Sequence, residues 1–137
     1  MTLYCDTSSL VRLYVQESGS DDVRSLVAQA ASVFVSAVTY VELCATLARA
    51  RRDRRMTPSA FRTARAQFDA EWSALVAIDL TPSIRETASE LADRHYLRAL
   101  DAIQLATFSQ VLERSTDDEL QFSSFDARLT RAARRLR

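Results

Sequence analysis

Four acidic residues occupy positions where acids are rare. Asp6 ends the apolar run Thr2-Leu3-Tyr4-Cys5, and Glu42 lies within Val38-Thr39-Tyr40-Val41-Glu42-Leu43. Asp101 is embedded in Leu97-Arg98-Ala99-Leu100-Asp101-Ala102-Ile103, and Asp126 follows Phe122-Ser123-Ser124-Phe125. Carboxylates are seldom buried without a partner. Four of them spread along one chain predict a single negative site that a cation must neutralise. An all-oxygen donor set selects a hard ion, Mg²⁺ or Mn²⁺, over Zn²⁺. Water retained by such an ion is a potential nucleophile, and two ions about 4 Å apart would clamp a phosphodiester. The chemistry predicted is metal-assisted hydrolysis. Each acid also has a plainer role open to it. Asp6 and Asp126 could cap the helices that follow them, and Glu42 and Asp101 could pair with arginines.

Two absences narrow the choice. All 18 basic residues are arginine, and Gly19 is the only glycine. A P-loop needs glycine and lysine, and a dinucleotide fingerprint needs a glycine-rich turn, so neither is present. Schiff-base chemistry needs a lysine amine. A single histidine, His95, excludes a two-histidine acid–base nuclease. The exclusive use of arginine is most simply a coding bias. The formal net charge is zero, so any affinity for nucleic acid must come from local patches.

The elements that must position these acids follow from periodicity. Residues 2–6 predict a buried strand, and Ser8–Glu17 a helix on Leu10, Val11, Leu13 and Tyr14. Ser18-Gly19-Ser20 breaks it, and Ser20 is placed to cap a second helix to about Ala30. Ser32–Val35 predicts the second strand, followed by a long helix over Val38–Arg55. Thr57-Pro58 opens another helix, with cap then proline, on a stripe of Phe61, Ala64, Phe68, Trp72 and Leu75. Val76–Asp79 is the third strand. Thr81-Pro82 starts a helix to His95, and Ala99–Arg114 forms the next. Leu120–Ser123 is the fourth strand, and Asp126–Leu136 the last helix. Strands alternating with helices predict one α/β domain over residues 1–137, with a parallel sheet covered on both faces.

Ligands of such folds bind beyond the carboxyl ends of the strands. Asp6 and Asp126 both fall on that rim, near the central strand pair. Helical spacing groups Glu42 with Val38, Val41, Ala45 and Arg49, and Asp101 with Leu97, Leu105 and Phe108. Both carboxylates are therefore expected to project from inward apolar stripes.

With these segments in view, the chain resembles the PIN-domain nucleases, and among them the VapC-type toxins of toxin–antitoxin pairs. The resemblance rests on Asp6-Thr7-Ser8-Ser9-Leu10-Val11 and on Ser36-Ala37-Val38-Thr39-Tyr40-Val41-Glu42-Leu43. It continues in Leu100-Asp101-Ala102-Ile103-Gln104-Leu105-Ala106 and Ser124-Phe125-Asp126-Ala127-Arg128-Leu129. The segments occur in the family's order over nearly the full length. The resemblance implies a three-layer PIN-like fold: a short parallel sheet of four or five strands flanked by about seven helices. The family often runs past its last helix into a glycine turn and a strand. This sequence stops at Arg137, which argues against a fifth strand. Also implied are Asp6, Glu42, Asp101 and Asp126 around Mg²⁺ or Mn²⁺, and cleavage of single-stranded RNA leaving a 5′-phosphate and a 3′-hydroxyl. So are a homodimer and inhibition by a VapB-like antitoxin whose C-terminal segment covers the site. Ser124 stands where the family commonly has threonine and keeps the hydroxyl.

Thr7, Ser8 and Ser124 are the expected supports of the acids, although Thr7 and Ser8 could equally cap the first helix. Two arginine clusters are candidate phosphate tracks: Arg49, Arg51, Arg52, Arg54 and Arg55, and Arg128, Arg131, Arg134 and Arg135. Arg49, Arg52, Arg128 and Arg131 are the RNA-binding candidates. The alternative is a solvated helix end. The stripe of Phe61, Phe68 and Trp72 reads as core or subunit interface, and His95 as structural. Cys5 and Cys44 read as apolar fillers without disulfide or metal spacing. No run approaches the roughly 18 apolar residues that span a bilayer, and no secretory leader is present, so a cytoplasmic enzyme is expected. Three rival readings remain: a phosphotransfer enzyme with a nucleophilic Asp6, a PIN nuclease of RNA processing, and an inactive PIN module. The first lacks its lysine, and Ser8 stands where a dehalogenase-type phosphatase has a second aspartate.

Overall fold

The computed structural model describes residues 1–116 and 118–137. Strands β1 (Thr2–Cys5), β2 (Ser32–Ser36), β3 (Val76–Ile78) and β4 (Gln121–Ser123) form one sheet in the order β3-β2-β1-β4. Every pairing is parallel, with Tyr4 opposite Phe34 and Phe122, and Phe34 opposite Val76. Among the described residues the sheet has four strands.

Seven α-helices among the described residues flank it: α1 (Thr7–Leu10), α2 (Ser20–Gln29), α3 (Val38–Arg52), α4 (Pro58–Glu71), α5 (Pro82–His95), α6 (Ala99–Arg114) and α7 (Ala127–Arg134). The twofold alternation of the strands divides the core. Leu3, Cys5, Val33 and Val35 face Leu10, Leu43, Leu47 and Phe68 on one side of the sheet. Tyr4 and Phe34 face Leu91, Leu105, Phe108 and Leu129 on the other. The expected stripe of α4 holds in part: Phe68 and Ala64 are buried, and Phe68 stacks edge-on with Trp72 at 5.6 Å.

Local chemistry sets most boundaries. Thr57 and Thr81 each accept a hydrogen bond from the backbone N–H three residues on, ahead of Pro58 and Pro82, as the threonine–proline pairs predict. The first helix is shorter than expected. It ends at Leu10 and tightens into a 3₁₀ turn over Val11–Leu13. Ser20 does not cap α2: its hydroxyl, fully buried, accepts from the Glu17 N–H at 3.0 Å and donates to the Val15 carbonyl at 3.2 Å. The cap position falls to Gly19, at φ 89°.

Gly19 meets two demands at once. Its left-handed backbone suits glycine, and a Cβ there would stand 2.4 Å from the Phe125 ring. The Arg12 guanidinium lies 3.7 Å from the centroid of the same ring. Gly19→Ala is therefore expected to cost about 2 kcal/mol, part backbone strain and part overpacking. Urea unfolding measures it, and an unchanged midpoint would contradict the assigned geometry.

Candidate active site

The carboxyl rim of the sheet gathers all four acids. β1 runs directly into Asp6, whose N–H continues the ladder to the Ser123 carbonyl at 3.1 Å. β2 leads into α3, which carries Glu42 in its second turn. β4 leads into Asp126, the N-cap of α7. α6 starts at the same rim and carries Asp101 in its first turn. Asp6, Glu42, Asp101 and Asp126 line a single cleft of about 380 Å³, together with Thr7, Ser8, Arg12 and Gln104.

Asp6 is the deepest of the four, at 4% exposure. Its Oδ1 accepts from the Ser8 hydroxyl at 2.7 Å and the Ser9 N–H at 2.9 Å. Its Oδ2 accepts from the Ser124 hydroxyl at 2.6 Å. Burial pushes the Asp6 carboxyl above the usual range, those three donors oppose the shift, and nearby Glu42 adds to it. Asp6 and Asp126 do cap their helices, accepting from Ser9 and Leu129 N–H groups. Capping uses one oxygen of each, so it does not compete with a role in the cleft.

Ser124 and Ser8 tie the two rim acids together. Ser124 donates to Asp6 and accepts from the Asp126 N–H at 3.0 Å. Ser8 donates to Asp6 and accepts from the Phe125 N–H at 2.9 Å. Thr7 donates to Glu42 Oε1 at 2.9 Å.

Glu42 does not project from a core stripe. Val41 is 69% exposed, and the inward face of α3 is Thr39, Leu43, Leu47 and Ala50. Glu42 sits beside that face, half-buried at the cleft wall. Asp101 is also half-buried, with Leu105 and Phe108 inward as expected. Desolvation raises its pKa first, then the charges of Asp126 and Glu42; Arg98 and Arg128 pull the other way.

None of the four acids forms an ion pair among the described residues. A cluster of oxygen donors without a basic partner, two of them disfavoured as anions, is the donor chemistry a hard divalent ion would satisfy. Among the described residues no three His, Cys, Asp or Glu groups form a ready-made chelate. Mg²⁺ keeps several waters and needs only one or two direct carboxylates.

A pH effect follows for the metal-free protein. The folded state binds a proton on Asp101 more tightly than the unfolded chain does, so that proton's stabilisation is lost as pH rises above the ordinary 3.8. Asp101→Asn should therefore leave the melting temperature nearly unchanged near pH 3.8 and raise it at pH 7. A difference between the two proteins that does not grow with pH would refute this.

Two residues of the cleft escape sequence reasoning. Gln104 is buried, and its Nε2 donates to Glu42 Oε1 at 3.0 Å and Thr39 Oγ1 at 2.9 Å, while its Oε1 accepts from the Tyr4 hydroxyl at 2.8 Å. Its position three residues after Asp101, in an otherwise apolar stripe, was the available signal. Arg12 bonds the Ser18 and Ser8 carbonyls and stands 3.6 Å from Glu17, closing one side of the cleft. The arginine clusters diverge. Arg128 and Arg131 adjoin Asp101 and Asp126 in a neighbouring cavity. Arg49 and Arg52 lie exposed further along α3, outside the cleft lining, in which Thr46 is the last α3 residue. Cys5 and Cys44 are free thiols, and burial pushes Cys5 up to about 12.

A family model for the PIN domain matches residues 3–135. The chain belongs to the PIN-domain family. This PIN domain is of the VapC type: it is 32% identical over 105 residues to Ribonuclease VapC45 of Mycobacterium tuberculosis (strain CDC 1551 / Oshkosh), spanning 77% of this chain and 73% of that protein. Its fold is similar to that of VapC20 of Mycobacterium tuberculosis, a sarcin-ricin loop cleaving toxin, with a TM-score of 0.67 at 20% identity over 95% of this chain and 94% of that one. A toxin–antitoxin complex from Klebsiella pneumoniae is similar to this PIN domain with a TM-score of 0.62 at 19% identity, covering 92% and 87% of the two chains. No helix among the described residues is long and apolar enough to cross a membrane.

Proposed function

We propose that this PIN domain is a Mg²⁺- or Mn²⁺-dependent endoribonuclease, the toxin of a toxin–antitoxin pair that inhibits translation by cutting RNA. The convergence of Asp6, Glu42, Asp101 and Asp126 on one cleft carries this reading. Its relative named as a ribonuclease supports the activity, and its structural neighbour in a toxin–antitoxin complex supports the setting. Asp6 and Asp101 would hold the principal ion, with Glu42 bound directly or through water and Asp126 serving a second ion or a water. A divalent ion bound there supplies activated water and neutralises charge on the phosphodiester.

The chain's own residues do the positioning. Ser8, Ser9 N–H and Ser124 hold Asp6 by its two oxygens and favour its charged form. Thr7 and Gln104 both donate to Oε1 of Glu42, at the wall of the cleft. The expected products carry a 5′-phosphate and a 3′-hydroxyl. The expected partners are a VapB-like antitoxin and a second copy of the chain, in a reducing cytoplasm that suits two free thiols.

Mapping RNA fragment ends after induced expression tests the reading, with wild type and Asp6→Asn compared. New ends with 5′-phosphates are expected for the wild type alone, and purified protein should lose cleavage on chelation. Cleavage that survives chelation, or that Asp6→Asn retains, would rule the mechanism out.

A further inference from the structure

A second cleft lies beside the acids, between the end of α5 and one face of α7. It encloses about 400 Å³ and is lined by Arg94, His95, Tyr96, Arg128, Arg131 and Arg135, with Ala132 at its floor. No acidic side chain among the described residues lines it. Among the described residues none of its four arginines is ion-paired. Arg128, Arg131 and Arg135 fall at i, i+3 and i+7, so α7 presents them together. Arg134, on another face, belongs to a different depression with Leu120 and Phe122.

Tyr96 is the odd member. It ends α5 in the left-handed region at φ 55°, a position that glycine or asparagine usually takes. Arg128 donates to its carbonyl at 3.2 Å. Its side chain is 84% exposed, and it packs against no other ring among the described residues. Core packing therefore does not account for an aromatic there. Arg94 and His95 could be explained by the negative end of α5. That explanation does not reach the arginines of α7.

The basic cleft connects to the acids. Arg128 and Arg131 also line the intervening cavity of about 530 Å³, which Asp101 and Asp126 share. Those two aspartates in turn line the acid cleft. A positively charged groove with an exposed ring is the arrangement that binds single-stranded nucleic acid by its backbone and stacks its bases.

We propose that this cleft is a second RNA subsite: its arginines hold a backbone phosphate flanking the cleaved one, and Tyr96 stacks the attached base. The proposal rests on the nuclease reading for its placement relative to the cut. The subsite would feed the strand past Arg128 and Arg131 towards Asp101.

The test is fluorescence anisotropy with a labelled, random-sequence single-stranded RNA, titrated against the full chain at several salt concentrations. Tyr96→Ala is expected to weaken binding about 10-fold without altering the salt slope, since stacking releases no counterions. Tyr96→Phe should bind like wild type. Arg131→Ala combined with Arg135→Ala should weaken binding and reduce the slope of log K against log salt by about 1.4, or about 0.7 for each phosphate no longer neutralised. Circular dichroism confirms that each variant is folded. If all variants bind RNA like wild type while cleavage persists, the subsite is refuted and the nuclease reading stands. If the variants weaken binding as expected but the wild type cleaves nothing, the subsite stands and the nuclease reading falls. A drop in affinity for an acidic peptide alone, with RNA binding intact, would make the cleft a protein-docking surface and overturn the proposal.

Discussion

Asp6→Asn is expected to slow RNA cleavage by at least about 100-fold, or about 3 kcal/mol of barrier, while making the metal-free fold more stable. The two effects have one cause. Asp6 is buried at 4% exposure, and burial together with Glu42 disfavours its charge. Three donors hold that charge in place: Ser8, Ser124 and the Ser9 N–H. Asparagine keeps an oxygen for the helix cap and removes the anion. The folded protein then no longer carries a buried charge that its three donors offset only in part, and its melting temperature should rise by about 3 °C for each kcal/mol relieved. The cost appears only in catalysis, where the anion would be needed to hold a divalent ion. Calorimetry in chelator and single-turnover cleavage with Mg²⁺ measure the two halves. A variant that melts lower than wild type and still cleaves would mean that Asp6 is a helix cap and nothing more. Added Mg²⁺ should narrow the stability gap between the two proteins, because only the wild type gains from binding it.

Gln104→Leu is expected to destabilise the fold by about 2–3 kcal/mol and to lower the melting temperature by about 8 °C. Gln104 bonds both the buried Tyr4 hydroxyl, at 2.8 Å, and Glu42, at 3.0 Å. Leucine fills a similar volume but removes the acceptor of that buried hydroxyl, which keeps only the Thr107 hydroxyl beside it, and a buried polar group that loses a partner costs desolvation no longer offset. Removing the hydroxyl as well should recover much of the loss, so the Tyr4→Phe, Gln104→Leu pair should be more stable than Gln104→Leu alone. Cleavage should also fall, because Glu42 loses one of its two side-chain donors. Gln104 acts as a positioning residue, so Gln104→Glu is not equivalent: it would set another carboxylate against Glu42. A Gln104→Leu protein that melts with the wild type would refute the network.

Sequence reasoning served best where one residue decides locally. The threonine–proline pairs at 57–58 and 81–82 start helices as predicted, because a cap and a preset φ act within one turn. It failed at Ser20, whose hydroxyl looked free to cap a helix but is taken by Val15 and Glu17 across the preceding turn. In that turn Gly19 packs against the ring of Phe125, more than a hundred positions away in the chain. Glu42 shows a different limit. Apolar neighbours at helical spacing suggested an inward stripe, but Val41 is exposed. Spacing shows which residues share a face; which face meets the sheet is set by packing.

The sequence alone determined the alternation of strands and helices, the two acids that follow β1 and β4, and the absence of the lysine and glycine that rival chemistries need. These depend on residue type and short-range periodicity, which any reader of the chain can count. Only the tertiary structure decided that Asp101 and Glu42 reach the same cleft as Asp6 and Asp126. Only it revealed that Gln104 and Arg12 complete the walls, and that Arg128 and Arg131, unlike Arg49 and Arg52, stand beside the acids. The reason is physical. A parallel sheet brings the ends of distant strands to one rim, and the order β3-β2-β1-β4 determines which helices open onto it. The four acids look misplaced along the chain because their common environment is assembled from segments up to 120 residues apart.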